Sequence, residues 1–106
     1  MRKGWVPEWV PLDATDLREV HDLDSNVSEL AFLKPVATRI HLPARCRKTT
    51  YTSSARASIQ RSWWPPEPVL QMSYTVFNCG PEFGRATFVA ISRSGDQVLF
   101  WRTCQD

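Results

Sequence analysis

Cysteine and histidine are the residue types best able to do covalent chemistry, and this chain of 106 residues has three of the first and two of the second. Cys46, Cys79 and Cys104 stand 33 and 25 residues apart. A nucleophilic thiol needs a base beside it, which leaves Cys46 or Cys79 to be paired with His41 or His21. Cys79 precedes Gly80 in a turn-like Asn-Cys-Gly-Pro run, where a nucleophile would be exposed. A cysteine at a strand end, however, ordinarily serves as a small buried apolar residue. His41 alternates with Arg39 and reads as a surface residue, while His21 packs at the edge of an apolar stripe. No Cys-x-x-Cys or His-x-x-x-His spacing occurs, and no glycine loop can cradle a phosphate. The expectation is no catalytic residue, no metal and no cofactor, with a small thiol enzyme as the weakest reading. Three cysteines at such spacings make no disulfide framework and predict reduced thiols in a cytoplasmic protein.

Binding chemistry is better represented. Residues 1–29 hold seven acids against three bases; residues 30–66 hold seven bases and no acid; residues 67–106 hold four acids and three bases. The bases of the middle block are Lys34, Arg39, Arg45, Arg47, Lys48, Arg56 and Arg61. Interleaved with Tyr51, Trp63 and Trp64, they offer cations for phosphates and flat rings for bases, so block 34–61 supports a nucleic-acid reading. The blander reading is that they keep a strand face soluble and pair with the acidic helix described below. Five tryptophans are many for this length, and each ring can bury about 150–250 Å² in a core or at an interface. Trp5, Trp9, Trp63 and Trp64 border prolines and are the candidate partner-binding anchors, with Arg45, Arg47, Lys48 and Arg56 supplying charge steering at the rim.

The elements that must position these groups follow from periodicity. WVPEWVP makes residues 1–11 an extended arm, because each proline removes a donor and pushes its predecessor towards extended geometry. Its apolar side chains need cover, most simply from the domain's own core. Asp13 as cap, Asp16 three residues on, a Leu12–Leu17 staple and an apolar stripe of Leu17, Val20 and Leu23 predict a helix over 14–23. Asp13, Asp16, Glu19 and Asp22 give that helix an acidic stripe, most simply a solvated face. Asn26 and Glu29 suit a second helical turn over 27–33, ended by Pro35. Val36, Thr38, Ile40 and Leu42 then alternate as a strand stopped by Pro43. Residues 44–54 read as a basic loop or irregular strand, 55–60 as a half-exposed strand, and WWPPEP as a rigid extended connection. From Val69 a β-meander is predicted: Leu70, Met72, Tyr74 and Val76 alternate, NCGPEFG turns, ATFVAIS returns as a central strand, RSGD turns, and QVLFWRT closes.

A single domain over 1–106 results, of α+β class: an N-terminal helical portion packed on an antiparallel sheet of four or five strands with a C-terminal β-meander. Hydrophobic content of 42% and charged content of 23% fit an ordinary globular chain. No stretch is long enough to cross a bilayer and no membrane partner is expected. Without convergent reactive groups, the expected function is non-catalytic: a small protein-binding domain, inhibitor or immunity-type, such as a phage-encoded blocker of host defence. It would act by occluding a partner surface, the partner being another protein or a nucleic-acid-processing complex. That class assignment is an analogy of size and surface.

Overall fold

The computed structural model describes residues 9–22, 27–51, 62–82 and 85–102. Its strands are β1 (Thr15–Asp22), β2 (Val27–Leu33), β3 (Arg47–Thr49), β4 (Tyr74–Glu82), β5 (Arg85–Ser92) and β6 (Gln97–Arg102), with a helix α1 (Glu67–Ser73) ahead of β4. All pair antiparallel in one sheet of order β1-β2-β6-β5-β4-β3. The expected α+β class, with a helical N-terminal portion, is therefore corrected to a mostly β protein bearing one short helix among the described residues.

The predicted helix over 14–23 is strand β1, and the predicted helical turn over 27–33 is strand β2. The reason is tertiary. β2 lies beside β6 with Ser28, Glu29, Leu30 and Phe32 all buried, so the backbone groups on its other edge need a partner, and β1 supplies it. A helical stripe over 17–23 would need a core to receive it, yet Leu17 is 47% exposed. The register slips between Thr15 and Arg18, where Asp16 takes φ 52°, a left-handed conformation that Asp tolerates better than most residues.

The alternating run at 36–42 is likewise a loop, not a strand. Val36 is exposed, while Ile40 and Leu42 pack partly buried onto the sheet without strand pairing. Lys34 holds this loop: it is buried, and its Nζ donates to the carbonyls of Thr38 (2.7 Å), Gly95 (2.5 Å) and Pro35 (3.3 Å). Three carbonyl acceptors make burial of that ammonium tolerable.

The predicted strand starting at Val69 begins five residues late, because 67–73 form α1. Pro66 is its N-cap, Glu67 sits in the first turn, and Leu70 is its one buried side chain. Met72 of the apparent alternation is exposed, whereas Tyr74 and Val76 are buried in β4 as expected. The predicted NCGPEFG turn is met at its far end: the chain reverses between the paired Glu82 and Arg85, and the Asn-Cys-Gly-Pro run itself belongs to β4. β4 passes through it with a register shift between Asn78 and Pro81, and Gly80 takes φ 81° there. The remainder of the meander, β5, the Arg93–Asp96 turn and β6, follows the predicted pattern. The strand expected at 55–60 lies outside the described residues.

Both faces of the sheet are covered, which is why β6 reads as the unbroken apolar run Val98–Trp101. On one face Val76, Phe88, Ala90, Leu99 and Trp101 meet Tyr51, Trp64 and Leu70. On the other Leu30, Phe32, Val89, Val98 and Phe100 meet Val10, with Trp9, Ile40 and Leu42 partly buried beside them. The cover expected for Trp9 and Val10 thus comes from the domain itself. Trp101, fully buried, stacks on Phe88 (5.5 Å, 22°) and meets Trp64 edge-on (5.5 Å, 87°).

Candidate interaction surfaces

The α1 lead-in and the β1–β2 hairpin enclose an open groove of about 370 Å³. Trp63, Pro65, Pro66 and Val69 wall it on one side, Ala31 and Leu33 on the other, and Arg18 and Asp16 stand at its rim. Trp63 and Pro65 are half-buried, and Leu33 and Val69 are each 39% exposed, so the walls present apolar area to solvent. Consecutive prolines fix this segment, and Trp63 is braced edge-on against Trp64 (5.9 Å, 71°). Arg18 and Asp16 pair at 3.5 Å with both side chains about half exposed, which leaves the rim close to neutral.

The four tryptophans singled out by sequence are dispersed. Trp64 is 9% exposed and committed to the core. Trp63 lines the groove. Trp9 lies against Phe32 and Phe100 on the opposite face, half-buried. Trp5 is outside the described residues. The groove's other apolar members, Leu33 and Val69, had no sequence signal; Trp63 and the paired prolines marked the segment.

The basic block lies elsewhere. Arg45, Arg47 and Lys48 are exposed at the β3 edge, Arg39 is exposed on the preceding loop, and Arg56 is outside the described residues. Arg45 Nε donates to the Cys79 carbonyl at 2.7 Å. β1, carrying Asp16 and Glu19, is at the far end of the strand order, five inter-strand steps or roughly 24 Å away. Arg39, Arg47 and Lys48 accordingly make no ion pair among the described residues.

The thiol chemistry is corrected too. Cys46 and Cys79 are joined as a disulfide, so the expected reduced pair is absent and Cys79, buried, is no nucleophile. Residues 33 apart meet because the loop before β3 folds back onto β4, a path that spacing does not encode. Among the described residues no group of three or more His, Cys, Asp or Glu side chains gathers as for a metal ion. No helix among the described residues is long and apolar enough to cross a membrane.

One polar network closes the β5–β6 turn. Ser94 Oγ donates to Asp96 (2.5 Å), and this bond chiefly holds the Asp96 carboxyl below the ordinary carboxylate range; its own backbone amide, Ser92 and the charge of Lys34 act the same way against partial desolvation. Nearby, Tyr74 donates to Gln97 Oε1 at 2.7 Å, and burial, then the Asp96 charge, pushes its phenol up. These groups brace the turn, and Tyr74 and Gln97 also reach the lining of the Trp63 groove.

Residues 1–33 match the family model of the YbbD head domain. That span is 33 of 106 residues and stops at the last residue of β2, before the basic block, α1 and the meander. No curated protein and no solved structure matches this chain.

Proposed function

We propose that this protein is a non-catalytic binding domain that seats an apolar segment of a partner protein in the Trp63 groove, acting as an inhibitor or immunity-type protein by occluding that partner's surface. One observation carries the reading: a rigid, solvent-open groove walled by Trp63, Pro65, Val69 and Leu33 on a domain whose sheet is otherwise covered on both faces. A braced tryptophan loses little conformational freedom on binding, which favours it as an anchor. Arg18 and Asp16 would orient the segment at the rim, and the basic β3 edge would steer approach from a distance. The disulfide supports oxidising surroundings in place of the cytoplasm expected from sequence.

The test is selection of displayed twelve-residue peptides against the full chain. Selected peptides should be rich in apolar and aromatic residues and should bind Trp63→Ala about 30-fold more weakly, the equivalent of about 2 kcal/mol. Affinity unchanged in Trp63→Ala, or failure to select any peptide, would overturn the proposal.

A further inference from the structure

A second cleft, of about 320 Å³, opens between the end of β3 and the start of β4. Its lining is Lys48, Thr49, Thr50 and Tyr51 from the β3 side, Leu70 and Gln71 from α1, Tyr74, Thr75 and Val76 from β4, and Arg93 from the β5–β6 turn. No carboxylate is among these residues. Lys48 and Arg93 are exposed and make no ion pair among the described residues. Three threonines and Gln71 add uncharged donors, and the buried Tyr51, Leu70, Tyr74 and Val76 form an apolar floor.

From this arrangement we infer that the cleft between Lys48 and Arg93 is a docking site for the side-chain carboxylates of an acidic polypeptide segment. Charge selects the ligand: two exposed bases that make no ion pair among the described residues favour an anion, and Arg47, on the same short strand as Lys48, extends the positive field along that edge. The aromatic complement selects polypeptide over nucleic acid. Base recognition on a positively charged groove uses exposed rings for stacking. Here Tyr51 and Tyr74 are buried with their hydroxyls given to Glu67 and Gln97, and Trp63 and Trp64 belong to the other groove and the core. Carboxylates, in contrast, need only the ammonium, the guanidinium and the hydroxyl donors that line the cleft. The site is separate from the Trp63 groove and stands without it.

The probe is a fluorescent ten-residue glutamate peptide titrated against the full chain at low and high salt, with duplex DNA and single-stranded RNA as parallel arms. The peptide should bind at low salt and weaken steeply as salt rises. Lys48→Glu and Arg93→Glu should each weaken it about tenfold or more, whereas Arg18→Glu, the same charge change on the far edge, should alter it less than about twofold. All three positions are exposed, and far-UV circular dichroism confirms that each variant is folded. Equal losses in all three variants would reduce the effect to net charge and overturn the site, as would absence of peptide binding. Tighter binding of DNA or RNA, lost in the same two variants, would overturn the polypeptide assignment. Because Trp63 takes no part, Trp63→Ala leaves this affinity unchanged even if the apolar groove proves unoccupied.

Discussion

The largest fully buried side chain among the described residues is Trp101, which meets Phe88, Trp64 and Tyr51. Truncating it leaves a cavity that rigid neighbouring rings cannot close. Trp101→Ala should therefore cost about 3–5 kcal/mol, read as a fall in the urea midpoint with an unchanged slope. Asp96 contributes through charge. Its carboxyl is lowered in the folded state, mainly by the Ser94 hydroxyl, so its stabilisation is complete above the unfolded value of about 4 and is lost as pH falls through the lowered folded value. The stability difference between the native protein and Asp96→Asn should narrow as pH is taken from about 5 to about 2, measured by urea unfolding at each pH. Tyr74 has the opposite sense: its phenol is raised, so the stability it lends is present below about pH 10 and declines above it.

At the element scale, β3 is the most dependent part of the fold. Three residues pair with β4, and all three are exposed, so neither hydrogen bonding nor burial secures the strand well. The Cys46–Cys79 bridge fastens the chain immediately before it. Replacing both cysteines with serine should lower stability by about 2–4 kcal/mol and speed amide exchange at residues 47–49 ahead of the meander. Alkylation of the unreduced, denatured protein should modify one cysteine of the three; labelling of Cys46 or Cys79 would refute the pairing. The loop ahead of β3 departs from its own sequence pattern for a local reason. Alternation over Val36–Leu42 promises a strand, but Ile40 and Leu42 find their cover as loop residues, and no neighbour offers the run a ladder. The same logic reverses at Leu70, where Pro66 and Glu67 start a helix inside an apparently alternating stretch.

Across the whole molecule, one sheet shares its central strands between two cores. Trp101 and Phe100, adjacent on β6, belong to opposite faces, so neither face can be lost without the other. Unfolding should be cooperative, with the same urea midpoint by tryptophan fluorescence and by far-UV circular dichroism; separated midpoints would show that the faces melt independently. The strand order also separates the charges. It sets an acid-bearing edge and a base-bearing edge at the two ends of the sheet, and that polarity gives the molecule its distinct surfaces.

The amino-acid order alone established the acidic-then-basic partition and the β5–β6 hairpin, since charge counts, two-residue periodicity and an Arg-Ser-Gly-Asp turn are properties of contiguous residues. It also marked Trp63 and its prolines as a segment fit for contact. Tertiary structure decided whether residues 15–33 became helices or a hairpin, which cysteines joined, and which of two adjacent tryptophans was buried. Each of those outcomes depends on a partner far along the chain: an edge of β2 left open by β6, a loop returning to β4, a ring seat beside Trp101. An eight-residue pattern that suits both periods is resolved by whichever distant surface satisfies its backbone.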